Sequence, residues 1–205
     1  MRPVHWVNAC SLILITLSGI TIFVRLLAQY VDSKPVLDMF TSLALLAGIV
    51  LDTRNFILRA GVRTFEAAAY LRSRGASTVE CKKLFSNDMD IFRARNAIID
   101  DAQTYNGCAI SVVEDNIENI RLVTSQAADE MLNIEGIKAS FVLYKNGSNI
   151  NISARSYGEI NVQLVMEALG GGGHQTMSAC QLENTEMQNA LETLKSVIDE
   201  YLSNL

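Results

Sequence analysis

The chain has 205 residues, of which 49% are hydrophobic and 19% charged, so it can bury one large globular core or two small ones. Its formal net charge of -5 excludes the overall positive field that binds duplex nucleic acid without regard to sequence. The net charge does not exclude a local basic pocket for a small anion. The cysteines, Cys10, Cys81, Cys108 and Cys180, form no C-x-x-C pair, which predicts reduced, mostly buried thiols and argues against zinc.

The first 29 residues form an apolar leader. No Lys, Arg, Asp or Glu lies between Pro3 and Val24. About twenty apolar residues in a helix are enough to cross a bilayer. The many β-branched residues fit a buried strand equally well, so a transmembrane helix and a buried segment both stay open.

The apolar run 42–53 predicts a buried helix end that feeds a central strand, with Asp52 at the carboxyl end of that strand. Ligands of open α/β sheets bind at such ends, and a carboxylate there suits a metal ion. A cap on the following turn is the alternative role for Asp52. Helices are then predicted over 63–75, ending at Gly75, over 76–85, capped by Ser77 or Thr78, and over 86–103.

From residue 108 onward the predicted order is β-α-β-β-α-β-α, which indicates a compact α/β unit. Strands are predicted over 108–115 and 176–182, with a hairpin over 137–156 whose turn is Asn146-Gly147. Helices are predicted over 125–136, 160–170 and 185–202, the last capped by Asn184 or Thr185.

Four consecutive glycines, Gly170 to Gly173, precede His174. Backbone without side chains can offer several N–H groups to a phosphate, and a neighbouring histidine can add a hydrogen bond or a charge. A structural turn between helix and strand explains the same glycines.

Two further polar residues lie close to the glycines in sequence. Arg155 lies at the end of a predicted strand. Its guanidinium group either binds a phosphate through paired N–H groups or is simply exposed on the strand. Asn161 is either the cap of the next helix or an amide that recognises a base.

Three segments, GIVLDTRNF, RTFEAAAYLRSRGA and ISARSYGEINVQLVMEALGGGGHQTMSACQL, resemble the C-terminal half of the DHH phosphoesterase superfamily. The similarity covers about residues 30–205 and is strongest to the membrane-anchored cyclic di-AMP phosphodiesterases. It implies an α/β fold, in which a C-terminal mixed-sheet α/β domain follows the tail of an α/β catalytic domain. The implied parts are a leader at 1–29, a catalytic remnant at 30–75, a helical linker at 76–107 and a DHH-associated nucleotide-binding domain at 108–205.

The resemblance also implies site residues and ligands. Enzymes of this family use two manganese ions, and their DHH-associated domain binds the nucleotide. Those roles fall on Arg155, Gly171, Gly172, Gly173, His174 and, with the alternatives above, Asn161, while Asp52 matches the last metal-binding aspartate. The implied partners are a cyclic dinucleotide, pApA or short RNA, together with a homodimer and a membrane. The implied location is the cell membrane with a cytoplasmic domain, or the cytoplasm if the leader is not inserted.

The sequence departs from the family in its metal ligands, because it contains neither an HxDxD-type motif nor a DHH triplet. We therefore expect a fragment that binds nucleotides without hydrolysing them and that does not hold manganese stably. A stand-alone, membrane-tethered nucleotide- or RNA-binding module is the alternative function.

Overall fold

The computed structural model describes residues 39–58, 60–86, 88–115 and 117–204, which fall into two compact units divided between residues 86 and 87. The predicted leader 1–29 lies outside the described residues. None of the helices in the described ranges combines the length and the apolar character needed to cross a membrane.

The described residues of the first unit form three helices: α1 (Met39–Asp52), α2 (Val62–Ser73) and α3 (Thr78–Leu84). They pack around a core that includes Leu46, Leu71 and Cys81. The side chain of Ser77 accepts a hydrogen bond from the Glu80 amide, which confirms one of the two predicted caps of α3.

The predicted strand ending at Asp52 is wrong, because Asp52 is the last residue of helix α1 and is half-buried. A continuous apolar run has no period that separates a buried strand from a buried helix, and here the fourteen residues of α1 are rich in Leu and Ala, which favour a helix. The turn that follows is capped by Thr53, whose hydroxyl donates to the Ile49 carbonyl at 2.6 Å and accepts from the Phe56 amide.

The second unit contains four helices and six strands among its described residues. In chain order they are α4 (Met89–Asp100), β1 (Gln103–Tyr105), β2 (Cys108–Val113), α5 (Ile120–Met131), β3 (Ala139–Asn146), β4 (Asn149–Ser156), α6 (Val162–Ala168), β5 (Gly172–His174), β6 (Met177–Leu182) and α7 (Met187–Ser203). The sequence predicted every element from β2 onward except β5, and it also missed β1, since three-residue strands carry too few alternations to be detected.

The six strands form one mixed sheet in the order β1-β2-β3-β4-β6-β5. Strands β2 and β3 are parallel and connected through α5, and the other neighbours are antiparallel. The predicted hairpin is confirmed, but Asn146 pairs with Asn149, so the turn residues are Gly147 and Ser148. The left-handed φ of +65° falls on Gly147, which is the residue that tolerates it.

Each face of the sheet buries a separate core because successive strand residues point to opposite faces. On one face Phe141 and Ile152 pack with Met166 of α6 and Leu194 of α7. On the other face Val142 packs with residues of α5 and α4. The thiols of Cys108 and Cys180 belong to the first core, and neither is in a disulfide.

Two predicted helix ends differ from the structure. The cap predicted at Asn184 or Thr185 is wrong, because α7 begins at Met187 after Glu186, which makes no side-chain cap. The Thr185 hydroxyl instead donates to the Glu183 carbonyl. Helix α5 runs from Ile120 to Met131 rather than from 125 to 136, so Gly136 lies beyond its end.

Candidate functional site

The first two glycines of the run end helix α6. Gly170 has a φ of +80°, and its amide donates to the Glu167 carbonyl at 2.9 Å. The amide of Gly171 donates to the Met166 carbonyl at 2.8 Å. These two bonds form a Schellman motif, which places a glycine at the first position after the cap.

Gly171 and Gly173 also lack side chains because β6 lies against them. A Cβ on Gly171 would collide with the Ala179 carbonyl, and one on Gly173 would lie 2.6 Å from the Met177 carbonyl. Gly173 has, in addition, a φ of +149°. Packing within the protein therefore requires both of these glycines.

Gly172 is different, because a Cβ at this position would have no heavy atom within 4 Å. It pairs with Ala179 in the β5–β6 ladder, and residues that pair across a ladder point to the same face. Nothing in the described part of the chain excludes a side chain at Gly172.

The glycine run is not the loop of bare amides that the sequence suggested. The Gly170 and Gly171 amides are bound to α6 carbonyls, and Gly172 to His174 form strand β5. The physical reason is that the run is short and lies between a helix and a strand, where ladder and cap bonds satisfy the backbone. Since β5 is the edge strand of the sheet, alternate main-chain groups still point away from the ladder.

Arg155 and His174 lie in one row across three strands. Arg155 of β4 pairs with Met177 of β6, and Met177 pairs in turn with His174 of β5. Two strand spacings separate the Arg155 and His174 backbones by about 10 Å, and all three side chains leave the same face. Over β3 and β4, the same face of the sheet is covered by helix α5.

The face is open over β6 and β5. Met177, Ala179 and Gln181 of β6 are exposed, as is His174 of β5. We call the surface formed by Arg155, Met177, Ala179, Gly172 and His174 the open sheet face. Arg155 is buried at one end of the row on this surface, the side chains of Met177 and His174 are exposed, and no neighbouring atom requires a glycine at Gly172.

The Arg155 guanidinium is buried and held by three contacts. Arg155 is 7% exposed, its Nη1 donates to the Ala154 carbonyl at 2.9 Å, and its Nη2 donates to the Ser125 hydroxyl. Its Nε lies 3.2 Å from Asp129 Oδ1 without hydrogen-bond alignment, so this contact is ionic. The arginine is therefore not the exposed strand residue of the alternative, and its orientation is set by α5.

Asn161 is the N-cap of α6. Its Oδ1 accepts from the Gln163 amide at 3.1 Å, and its own amide donates to the Tyr201 hydroxyl at 2.9 Å. Helix α6 packs on the core of Ile152 and Ala154, which is the face opposite to the Arg155 side chain. The capping alternative is confirmed, and the base-recognition role stays a prediction.

Asp52 belongs to the first unit, whereas the residues named above belong to the second. In the ranges that the structure describes, no three His, Cys, Asp or Glu side chains come together to hold a metal ion. The described residues therefore do not fit the manganese pair that the family resemblance implies.

Four residues near this site were missed from the sequence: Ser125, Asp129, Tyr157 and Met177. Ser125 and Asp129 are four residues apart, so a helix places them on one face, and this spacing was readable. Tyr157 follows Arg155 by two residues, which in an extended strand indicates a shared face. Met177 could not be found because its position depends on the missed strand β5.

The chain is similar to a known domain family and to proteins of known activity. Residues 106–204 match the DHHA1 domain family. The chain is 42% identical over 182 residues to the cyclic-di-AMP phosphodiesterase PdeA of Listeria monocytogenes, an alignment that covers 86% of this chain and 28% of that protein. It is also 42% identical over 179 residues to the cyclic-di-AMP phosphodiesterase GdpP of Bacillus subtilis, covering 85% and 27%.

A solved structure shows the same fold. An exopolyphosphatase-related protein from Bacteroides fragilis has a TM-score of 0.73 to this chain at 17% identity, covering 80% of this chain and 51% of that one. The chain spans less than a third of the length of the two curated relatives.

Proposed function

Since residues 106–204 of this chain belong to the DHHA1 domain family, we propose that they form the nucleotide-binding part of a DHH-type phosphodiesterase. The proposed ligand is a dinucleotide of the cyclic di-AMP or pApA type, since the two curated relatives are cyclic-di-AMP phosphodiesterases. Its phosphate binds on the open sheet face.

The observation that carries this proposal is the row formed by Arg155, Met177 and His174. The two side chains leave one face of the sheet from backbones about 10 Å apart, so a phosphate-bearing ligand that reaches the edge of the buried guanidinium can also contact His174. A guanidinium presents five N–H donors on three nitrogens, and an imidazole presents a further donor. Charge-assisted bonds of this kind are the strong ones in anion recognition.

The absence of a side chain at Gly172 also agrees with a ligand bound on this face. A ligand lying over β5 needs the backbone to be accessible, and Gly172 leaves that surface open although its own neighbours do not demand it. The main-chain groups of this edge strand that point away from the ladder can then contact the ligand. The proposed contact is therefore the edge of the sheet, in place of the loop of free amides expected from the sequence.

Binding without hydrolysis is the activity we propose for this chain. The described residues bring no metal-binding group together, so hydrolysis is assigned to none of them. A short RNA is the alternative ligand, and the homodimer and membrane attachment predicted from the sequence stay predictions.

Titration calorimetry of the full chain tests this proposal with pApA, cyclic di-AMP and a short RNA, each with and without Mn²⁺. We expect binding of the dinucleotides, no turnover with Mn²⁺, and weaker binding by Arg155→Ala and His174→Ala, by about 1–3 kcal/mol each. Lys145→Ala is the control, because Lys145 is an exposed cation near the far end of the β3–β4 hairpin. Dinucleotide affinities that are equal in all four proteins would overturn the proposed site, and manganese-dependent hydrolysis would overturn the proposed inactivity.

A further inference from the structure

Tyr157 is held beside the open sheet face by its hydroxyl group. The residue directly follows β4, and its hydroxyl donates to Asn133 Oδ1 at 3.2 Å. Asn133 lies just after α5, the helix that packs on the Arg155 side of the sheet. The Tyr157 ring is therefore oriented on the same side as the Arg155 guanidinium, although it remains 38% exposed.

Met177 adds a second apolar surface to this region. It lies between Arg155 and His174 in the row, and it is 42% exposed. Single exposed apolar side chains are common and need no explanation. Here, however, a hydrogen-bonded aromatic ring and a thioether lie on the same side of the sheet as a buried guanidinium. A nucleotide carries the complementary groups, a flat apolar base and an anionic phosphate.

We propose that Tyr157 is a stacking platform for a nucleobase of the bound dinucleotide, with Met177 packing against the same ligand. This inference rests on the proposed function, since it takes the phosphate of the dinucleotide to bind on the open sheet face. A flat base needs a ring of fixed orientation, and the bond to Asn133 supplies it. The ring face, unlike a hydrogen-bonding edge, does not distinguish one base from another.

Two consequences follow for specificity. Affinity depends on the presence of a base more than on its identity, so pApA and pGpG bind with similar strength. Removal of the ring weakens base-containing ligands only, whereas removal of Arg155 weakens every phosphate-bearing ligand. If Tyr157 only connected the end of β4 to the end of α5 through its hydrogen bond, neither the similar affinities for pApA and pGpG nor a loss confined to base-containing ligands would be expected.

The test measures the affinities of this chain and of its variants Tyr157→Ala and Tyr157→Phe for pApA, for pGpG and for an abasic dinucleotide with the same phosphates. We expect Tyr157→Ala to lose about ten- to a hundredfold in affinity for pApA and pGpG and to bind the abasic probe like the parent protein. Tyr157→Phe keeps the ring but loses the bond to Asn133, so we expect a smaller loss for pApA and pGpG, about two- to fivefold.

Leu164→Ala is the matched control, because Leu164 is 51% exposed on α6, which packs on the opposite face of the sheet. Unchanged pApA affinity in Tyr157→Ala overturns the inference, and so does an equal loss for pApA and the abasic probe, since that would show a structural role. In either case the parent protein still binds pApA, and the proposed function stands. A parent protein that binds no dinucleotide overturns both.

Discussion

Arg155 and His174 lie on the same face of the sheet with one strand, β6, between them, because each of them is paired with Met177. They come from different secondary structure elements, separated along the chain by helix α6. Their approach is produced by strand β6, which inserts between β4 and β5 in the sheet. The candidate site is therefore a property of the sheet order.

Gly172 and Gly171 are expected to respond differently to alanine. Gly172→Ala meets no neighbour, so the free energy of unfolding stays close to that of the parent while dinucleotide affinity falls. Gly171→Ala meets the backbone of β6 and should destabilise the fold by about 1–3 kcal/mol. Urea unfolding and calorimetry with pApA measure the two quantities. If Gly172→Ala bound pApA like the parent, the ligand would not lie over β5.

Asp129 is expected to restrain anion binding while it orients Arg155. Its carboxylate lies 3.2 Å from Arg155 Nε and is 43% exposed, so its charge is partly screened by solvent. Asp129→Asn keeps the shape and removes a negative charge next to the proposed phosphate, and we expect pApA affinity to rise about two- to threefold at low salt.

The salt dependence provides the control for this prediction. The gain in Asp129→Asn should shrink as ionic strength rises, because screening weakens the repulsion that the substitution removes. A loss of affinity at low salt would show that the carboxylate matters through the position of the Arg155 side chain rather than through its charge.

Asn161 separates its two predicted roles when two substitutions are compared. Asn161→Ala removes the cap of α6 and should cost about 1 kcal/mol of unfolding free energy. Asn161→Asp keeps the capping oxygen and removes the amide donor, so stability should be retained. Calorimetry with pApA then tests the base-recognition role, which requires that both variants bind more weakly, whereas a pure cap leaves the Asp variant unchanged.

The buried thiols predict a loss of stability in alkali. Burial raises the pKa of the Cys108 and Cys180 thiols to about 11, from 9.0. The folded state therefore holds these protons more tightly than the unfolded chain does, so the contribution is complete below pH 9.0 and is lost as the pH rises toward about 11. We expect the free energy of unfolding to fall by up to about 2 kcal/mol per thiol across this window.

Urea unfolding at several pH values between about 8 and 11 measures this fall. Cys180→Ala removes one of the two thiols, and its stability should decline less steeply than that of the parent over the same range. Parallel pH profiles for the two proteins would contradict the role assigned to the Cys180 thiol.

Local signals in the sequence were sufficient for most elements of the second unit. Alternation predicted β2 and the β3–β4 hairpin, and helical spacing with a capping residue predicted α6, because these patterns depend only on neighbours along the chain. The same signals failed for α1, where the uniformly apolar run ending at Asp52 suits either type of element. They failed again for β5, whose three residues are mostly glycine.

The sequence by itself determined that Arg155 lies near the end of a strand, that a helix begins close after Asn161 and that glycines precede His174, since each is a matter of nearby residues. Only the tertiary structure decided that Arg155 is buried against Ser125 and Asp129, and that Gly172 alone in Gly171–Gly173 meets no neighbour. The physical reason is that strand order and register come from pairing between distant segments. A steric need for glycine likewise exists only once another strand has come close.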